Sequence, residues 1–175
     1  TKGSYFTRGT SHDEYAKYSE SGEDYIKKVD RLLLKWETAK TIVPRPEIYK
    51  ADQQTKNGII FFGTTHYAAL ESLDLLKTEG IHLDAISLKA FPFNEEVHDF
   101  LKNHDRIFVI EQNRDAQMRT LIINEFDYNP RELESILNYD GTPITANFIA
   151  KEIGKALGIK QRNPEELQQR KLLCI

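Results

Sequence analysis

The feature that most constrains the fold is a regular alternation of short apolar runs and helical patterns between residues 57 and 158. The first run, residues 58–62, is continuously apolar, which is typical of a strand buried on both faces of a sheet. Strands joined by helices at short intervals imply right-handed crossovers and a mostly parallel sheet. The sequence therefore predicts a three-layer α/β domain with helices on both faces of the sheet.

Three strands and the helices between them can be placed from the pattern. The predicted strands cover residues 58–62, 84–89 and 106–110, and a short edge strand is favoured near residues 135–139, where a helix is the alternative. The predicted starts of the intervening helices are Thr64 or Thr65, Asn94, Asp115 and Thr142, each of which is a suitable capping residue. Gly80 and Gly158 are expected to end two of the helices.

The region before this domain has a different character. We expect an arm or interdomain loop over residues 1–23, a connecting helix and linker over residues 24–56, the α/β domain over residues 57–158, and a polar tail over residues 159–175. Ser21 is available to cap the connecting helix, and the two prolines in Pro44-Arg-Pro46 are expected to follow its end. The chain begins without Met in a polar run that has no core of its own, which indicates a piece of a longer protein.

The composition argues against several classes of function. The 24 basic and 27 acidic residues give a net charge of −3, so no broad electrostatic footprint for nucleic acid or anionic lipid is expected. No segment approaches 18 consecutive apolar residues, which argues against a membrane span. The one cysteine, Cys174, excludes a disulfide framework and a cysteine-ligated metal or iron–sulfur site within this chain. A reducing, cytoplasmic setting fits this composition.

Two polar segments follow predicted strands, at the sheet edge where α/β domains commonly bind ligands. Gly63, Thr64 and Thr65 would present free amides and hydroxyls to an anion such as phosphate, although a threonine that only caps the helix is the simpler interpretation. Residues 111–115 are Glu111, Gln112, Asn113, Arg114 and Asp115. They are interpreted as a docking edge for a neighbouring domain or subunit, or as ligand contacts, with Asp115 as a helix cap. No matched catalytic dyad is evident, so no catalytic residue is assigned.

The arm carries a further polar cluster. Arg8, His12, Asp13 and Glu14 offer many hydrogen-bond donors and acceptors within a few residues, which favours contact with a ligand. The alternative is local structure, because Ser11 and Glu14 have the spacing of a capping box. A metal site is not predicted, since adjacent side chains do not easily converge on one ion and the histidines have no ligand spacing.

Taken in order, several of these segments resemble the carboxyl-terminal part of the alpha subunit of 2-oxoacid:ferredoxin oxidoreductases, most closely the 2-oxoglutarate type. The resemblance covers about residues 5–157. It is carried by the strings FTRGTSHDE, RLLLKWETA, GIIFFGTT, LKAFPF, VIEQNRDAQ and YDGTPITANFI.

The resemblance implies a domain similar to the carboxyl-terminal domain of transketolase. It also implies a parent enzyme that oxidatively decarboxylates a 2-oxoacid on thiamine diphosphate with magnesium, passes electrons through an iron–sulfur cluster to ferredoxin, and releases an acyl-coenzyme A. In that family the thiamine-contacting and diphosphate-binding domains lie in the preceding part of the alpha subunit and in the beta subunit. This chain is therefore expected to provide packing, subunit contact and positioning, and to be inactive alone.

By the same resemblance, Arg8, His12, Asp13 and Glu14 are expected near the cleft where substrate or coenzyme A approaches. The expected partners are the rest of the alpha subunit, the beta subunit and, through the complex, ferredoxin. The alternative function is an autonomous α/β module that binds a small phosphate-containing ligand at Gly63, Thr64 and Thr65.

Overall fold

A computed structural model describes residues 9–158 of the chain. The helices are α1 (Gly22–Ile42), α2 (His66–Thr78), α3 (Glu95–Asn103), α4 (Gln117–Phe126) and α5 (Ala146–Ala156). The strands are β1 (Glu47–Tyr49), β2 (Asn57–Phe62), β3 (Asp84–Leu88), β4 (Arg106–Glu111) and β5 (Leu133–Leu137). Short 3-10 turns, Gly63–Thr65 and Pro130–Glu132, lie before α2 and β5.

The five strands form one sheet in the order β1-β3-β2-β4-β5. The pairs β2–β3, β2–β4 and β4–β5 are parallel, and only β1 runs antiparallel to its neighbour. This order places β2 and β4 at the centre, which explains why their sequences are apolar without alternation. The predicted three-layer α/β architecture is confirmed.

Each face of the sheet is covered by its own hydrophobic core. On one face Phe61 and Phe108 pack with Ile149 and Ile153 of α5 and with Leu76 of α2. On the other face the core contains Ile60, Val109, Phe100 and Ile122, the last two from α3 and α4. Adjacent residues of one strand, such as Ile60 and Phe61, therefore belong to opposite cores, as the two-residue period of a strand requires.

The sequence did not predict β1. The sequence predicts a linker from Pro44 to Asn57, but Glu47–Tyr49 pairs with β3 in the register Ile48 to Ile86. The strand has only three residues and a polar flank, so its pattern is too short to distinguish from a loop. As an edge strand it tolerates the adjacent proline, because one row of its amides has no partner strand.

Two predicted helix starts are also corrected. The helix predicted to begin at Asp115 begins at Gln117, after Ala116 in the left-handed region with φ of 51°. The helix predicted to begin at Thr142 begins at Ala146, and its cap is Thr145, whose hydroxyl accepts from the Phe148 amide at 3.2 Å. The start of α2 is as predicted, because Thr65 is the residue before its first turn, but the hydroxyls of Thr64 and Thr65 accept from Gln112 and Thr65 makes no side-chain bond to the helix. In each case the chain contains several suitable caps close together, and packing selects among them.

The connecting helix α1 is attached to the sheet domain by its last turns. Trp36 packs edge-on against Phe91, with ring centroids 5.0 Å apart, and Lys40 pairs with Glu125 at 3.0 Å. Asn94, expected to cap α3 with its side chain, instead donates its amide to the carbonyl of Lys40 at 2.9 Å. No residue of α1 is buried. The rest of the helix therefore extends beyond the domain.

Gly58 provides a test of the packing between β2 and α3. A β-carbon at this position would lie 2.8 Å from Cε1 of Phe100 and 3.3 Å from Cγ of His104, both of which are buried. We expect Gly58→Ala to lower the free energy of unfolding by about 2 kcal/mol, because the rings must shift in a close-packed core. Gly154→Ala is the control and should be neutral or stabilising, because an added β-carbon there would meet no atom within 4 Å apart from its chain neighbours and the backbone of its own helix. Urea denaturation of both variants checks the prediction, and equal stabilities would contradict it.

Candidate functional site

The carboxyl ends of β2 and β4 lie side by side in the sheet, and the side chain of Gln112 joins the loops that follow them. The Gln112 amide donates to the hydroxyls of Thr64 and Thr65, each at 3.1 Å. The Gln112 carbonyl oxygen accepts from the Ile144 amide at 3.2 Å, in the segment before α5. One side chain therefore connects three loops at the edge where ligands usually bind in this class of fold.

Glu111 organises the same edge from inside. Its side chain is completely buried. The carboxylate accepts hydrogen bonds from the amides of Met118 at 2.7 Å and Arg119 at 3.1 Å, and from the Asn113 side chain at 2.8 Å. The Glu111 side chain thus binds free amides in the first turn of α4, where the positive end of the helix dipole lies.

The rest of the predicted docking edge divides into a structural and an exposed part. The Asn113 carbonyl oxygen accepts from the amides of Asp115 at 3.0 Å and Gln117 at 3.3 Å, which shapes the turn before α4. Arg114 and Asp115 pair with each other at 2.8 Å, with 75% and 56% of their side chains exposed. A neighbouring surface would therefore meet Arg114 and Asp115, while Glu111, Gln112 and Asn113 support them from below.

The anion site predicted at Gly63, Thr64 and Thr65 lies beside a cleft of about 450 Å³. Gln112, Asn113 and Met118 line the other side of this cleft. Gly63 has φ of 58°, a left-handed conformation that suits glycine at this turn. The two threonine hydroxyls already accept from Gln112, and Thr65 is only 3% exposed. The two hydroxyls predicted to bind an anion therefore already form hydrogen bonds within the chain.

The described part of the arm forms a compact turn. Asp13 accepts from the amides of Tyr15 at 3.0 Å and Lys17 at 2.9 Å, and His12 forms an antiparallel bridge with Tyr18. The His12 ring contacts the carbonyl of Thr10 at 2.8 Å. Asp13 therefore holds the turn, while Glu14 remains exposed. Arg8 lies outside the described residues.

The predicted capping box of the arm is not observed. The hydroxyl of Ser11 accepts from the Lys28 ammonium at 3.3 Å instead of bonding within a helical turn of the arm. This contact joins the arm to α1, and Ser19 adds a second one by donating to Asp24 at 2.5 Å. The arm is thus positioned by α1.

Between the arm and α1 lies a cleft of about 530 Å³. The cleft contains both charges, with carboxylates from the arm and basic side chains from one face of α1. Its lining residues are His12, Asp13, Glu14, Tyr15, Asp24, Lys27, Lys28 and Arg31. Three of the four predicted arm residues are therefore brought together in one polar cleft, with basic partners that the sequence analysis did not consider. Such a mixed lining suits a ligand that carries anionic groups and hydrogen-bond donors.

Two buried polar groups were not identified from the sequence. His66 lies 3.1 Å from the Ser87 hydroxyl, but Ser87 is only 1% exposed, so a substrate has no access to that oxygen. Asp84 is the second, at the amino end of β3, where it meets Lys50 at 2.7 Å and the His104 ring at 3.1 Å. The sequence shows only that Asp84 is a polar residue at the start of a strand. It does not show that Lys50 and His104 are its partners.

Residues 9–158 contain no group of three histidine, cysteine, aspartate or glutamate side chains that is suited to hold a metal ion. None of the helices in that range has the length and apolar composition needed to cross a bilayer.

The fold of this chain is similar to that of two solved enzymes, and this similarity identifies the class of domain. The chain superimposes on a split-gene transketolase, described as an inactive beta4 tetramer, with a TM-score of 0.51 over 67% of this chain and 42% of the other, at 17% identity. It also superimposes on the 2-oxoglutarate:ferredoxin oxidoreductase of Magnetococcus marinus, solved with 2-oxoglutarate, coenzyme A and succinyl-CoA, with a TM-score of 0.76. That match covers 87% of this chain and 26% of the other at 19% identity, so it shows the fold. The domain has the transketolase carboxyl-terminal type of α/β fold.

Two curated proteins are similar to this chain in sequence. The chain is 25% identical over 156 residues to the alpha subunit of 2-oxoacid:ferredoxin oxidoreductase 2 of Aeropyrum pernix, which covers 85% of this chain. It is 26% identical over 150 residues to the corresponding alpha subunit of Saccharolobus solfataricus. No protein-family profile matches the chain. The predicted resemblance to these alpha subunits, and to their carboxyl-terminal part, is confirmed. The chain spans about a quarter of the length of these relatives, 24% and 23%.

Proposed function

We propose that this chain acts as the carboxyl-terminal part of the alpha subunit of a 2-oxoacid:ferredoxin oxidoreductase, of the type that uses 2-oxoglutarate. In this proposal it packs against and positions the rest of the alpha subunit and the beta subunit in the cytoplasm. The assembled enzyme would decarboxylate and oxidise the 2-oxoacid, release carbon dioxide, transfer the electrons to ferredoxin and join the acyl group to coenzyme A. Thiamine diphosphate, magnesium and the iron–sulfur cluster would be held by parts of the enzyme outside this chain. This chain alone is inactive.

The observation that carries the proposal is that polar side chains at the sheet edge form hydrogen bonds within the chain. Glu111 and Gln112 are fully engaged in holding α4 and the neighbouring loops, with five hydrogen bonds to Met118, Arg119, Thr64, Thr65 and Ile144. These side chains therefore stabilise the edge and hold the exposed Arg114 and Asp115 in place. A single cysteine does not fit a cluster held by cysteine thiolates, so another part of the enzyme must hold the iron–sulfur cluster.

A measurement of turnover and binding tests the proposal. We expect the isolated chain to show no 2-oxoacid-dependent reduction of ferredoxin, and its addition to the remaining subunits to restore that activity. Calorimetry of the isolated chain with thiamine diphosphate, coenzyme A and inorganic phosphate provides the second measurement. Steady turnover by the chain alone would overturn the proposal. Micromolar binding of phosphate that Thr64→Ala abolishes would instead support the alternative of an autonomous module at Gly63, Thr64 and Thr65.

We further propose that the arm contacts the substrate or coenzyme A in the assembled enzyme, through Arg8, His12, Asp13 and Glu14. The support is the polar cleft between the arm and α1, where His12, Asp13 and Glu14 face Lys27 and Arg31. Asp13 holds the turn through two amides, so it acts as a positioning residue for His12 and Glu14. Basic side chains from α1 are suited to phosphate or carboxylate groups of either ligand.

Substitutions in the arm should affect Michaelis constants more than turnover numbers. We expect His12→Ala and Asp13→Ala, each in the assembled enzyme, to raise KM for coenzyme A or the 2-oxoacid about tenfold, which is about 1.4 kcal/mol of binding, with kcat little changed. Glu37→Ala, 65% exposed and outside the cleft, is the control. Steady-state kinetics with both substrates checks the prediction. Unchanged KM values for both would reject the role of the arm.

A further inference from the structure

The connecting helix α1 exposes a continuous apolar face. Six large apolar side chains recur at intervals of three and four residues, which places them on one side of a helix. They are Tyr25, Ile26, Val29, Leu32, Leu33 and Trp36, and we call them the α1 stripe. Their exposed fractions run from 37% at Trp36 to 61% at Leu33. None of the six is fully buried by the described residues, and Trp36 is partly covered by Phe91.

The α1 stripe continues an interface that already exists at the end of the helix. Trp36 belongs to the stripe and packs on Phe91, and Lys40, one turn later on the same side, pairs with Glu125. The helix is about 30 Å long, and only its last turns contact the sheet domain. The same face is therefore covered at its carboxyl end and bare towards its amino end.

The size of the bare face limits what can cover it. Six side chains at these exposures present an apolar area on the order of 500 Å², near the upper end for the largest patch on an ordinary monomer. A stable dimer interface requires about 800 Å² from each partner. Two copies of this chain joined through the α1 stripe alone would fall short of that area. A larger partner that also contacts the sheet domain or the arm fits better.

The lengths of the relatives identify such a partner. The chain matches about a quarter of their alpha subunits and resembles the carboxyl-terminal part, so the remaining polypeptide precedes the matched region. A preceding polypeptide would reach this chain through the arm, whose described end lies against the start of α1 through the bonds of Ser11 and Ser19. It would thus arrive beside the bare half of the helix.

We propose that the α1 stripe is the docking face for the portion of the alpha subunit that precedes this region in the relatives. The partner surface is apolar, because the stripe carries no ionised side chain and charged groups there would lose their hydration without a partner. In this arrangement α1 lies between the preceding portion and the arm. The α1 stripe contacts the preceding portion, and the basic face of the helix, which includes Lys27 and Arg31, lines the arm cleft. The inference rests on the proposed function and adds the contact surface to it.

Thiol labelling of the assembled enzyme tests this contact. In a Cys174→Ser background, Leu33→Cys places a thiol on the stripe, and Leu34→Cys places one on the opposite side of α1, where the side chain is 70% exposed. We expect the thiol at position 33 to react at least tenfold more slowly in the assembled enzyme than in the isolated chain. The thiol at position 34 should react at similar rates in both. Peptide mass spectrometry separates these thiols from other cysteines of the enzyme.

The outcomes separate the inference from the proposed function. Equal labelling of position 33 in both states, while the chain still restores turnover to the other subunits, would overturn the inference and leave the function standing. Protection of position 33 in the isolated chain, together with a dimer in sedimentation, would also overturn it and identify a second copy as the occupant. Leu33→Glu provides an independent check: it should weaken assembly at least tenfold, whereas Leu34→Glu should not, with the helical circular dichroism of both unchanged.

Discussion

Replacement of Glu111 by alanine should lower the free energy of unfolding by about 3 to 4 kcal/mol, although Glu111 lies in a strand end that the sequence marks as polar. The substitution removes the acceptor for the Met118 and Arg119 amides and for the Asn113 side chain. Loss of the acceptor for the two first-turn amides of α4 is the loss of a helix cap and costs about 1–2 kcal/mol, and the Asn113 amide left without its partner adds about 1–3 kcal/mol. Urea denaturation of the chain measures the difference.

Two further variants show whether the effect comes from the hydrogen bonds. Glu111→Gln keeps one acceptor oxygen but points an amino group at a backbone amide, so an intermediate loss of about 2 kcal/mol is expected. Asp115→Ala removes an exposed partner of Arg114 and should change stability by no more than about 0.5 kcal/mol. If Glu111→Ala were as mild as Asp115→Ala, the buried carboxylate would not be what holds α4.

The sequence predicted the sheet domain because its signals are long and mutually consistent. The apolar runs of β2 and β4 indicated strands buried on both faces, and the two cores lie on both faces of these strands. The short edge strand favoured near residues 135–139 is present as β5, from Leu133 to Leu137, and runs parallel to β4. Parallel strands joined by helices leave few alternative topologies, so these patterns sufficed for the fold class.

The candidate site could be predicted only in part, since its geometry depends on contacts between distant segments. The polar character of residues 111–115 was evident, but nothing in one sequence shows that Gln112 bonds Thr64 and Ile144. The sequence predicts Asp115 as the cap of α4, whereas the carboxylate that accepts from the first-turn amides is that of the buried Glu111. The polar character of the arm was predicted from the sequence. Its basic partners on α1 were not, because no local pattern indicates that the arm packs on that helix.

The apolar face of α1 shows a different limit of sequence reasoning. Helical spacing of Tyr25, Val29 and Leu32 predicted the helix correctly, from Gly22 to Ile42 in the structure. The same spacing ordinarily indicates a buried face. In the structure this face of α1 is not buried by residues 9–158, so the periodicity predicted the helix but not what covers it; in the arrangement proposed above, the preceding part of the alpha subunit covers it.

The polar group around Asp84 should make the domain sensitive to acid. Burial alone would raise the pKa of Asp84, but hydrogen bonds from Lys50, the Ala51 amide and His104 outweigh it and hold the pKa below the ordinary value of an aspartate. His104 also contacts the carbonyl of Phe100 at 2.7 Å with its other ring nitrogen. The ring is therefore held between β3 and the end of α3 by contacts at both of its nitrogens.

The sign of the acid effect follows from that lowered pKa. Asp84 holds its proton more weakly in the folded chain than in the unfolded chain, so its contribution to stability is complete above about pH 4, the unfolded value, and is lost as the pH falls through the folded value. At pH 7, Asp84→Ala should cost about 2 to 3 kcal/mol, because it removes the acceptor for the Lys50 ammonium and the Ala51 amide and the partner of the buried His104 ring. Below pH 4 the stabilities of the two proteins should converge.

Denaturant titrations at pH 7 and at several values between pH 3 and 5 measure both effects. Asp52→Ala is the matched control, since Asp52 pairs with Lys77 where both side chains are more than half exposed, and its removal should change little. A constant difference between the native chain and Asp84→Ala across this range would mean that the carboxylate contributes through packing. A difference that closes on acidification would place the effect in the charge of Asp84 and in the bonds from Lys50 and His104 that link the linker, β3 and α3 at the amino end of the sheet.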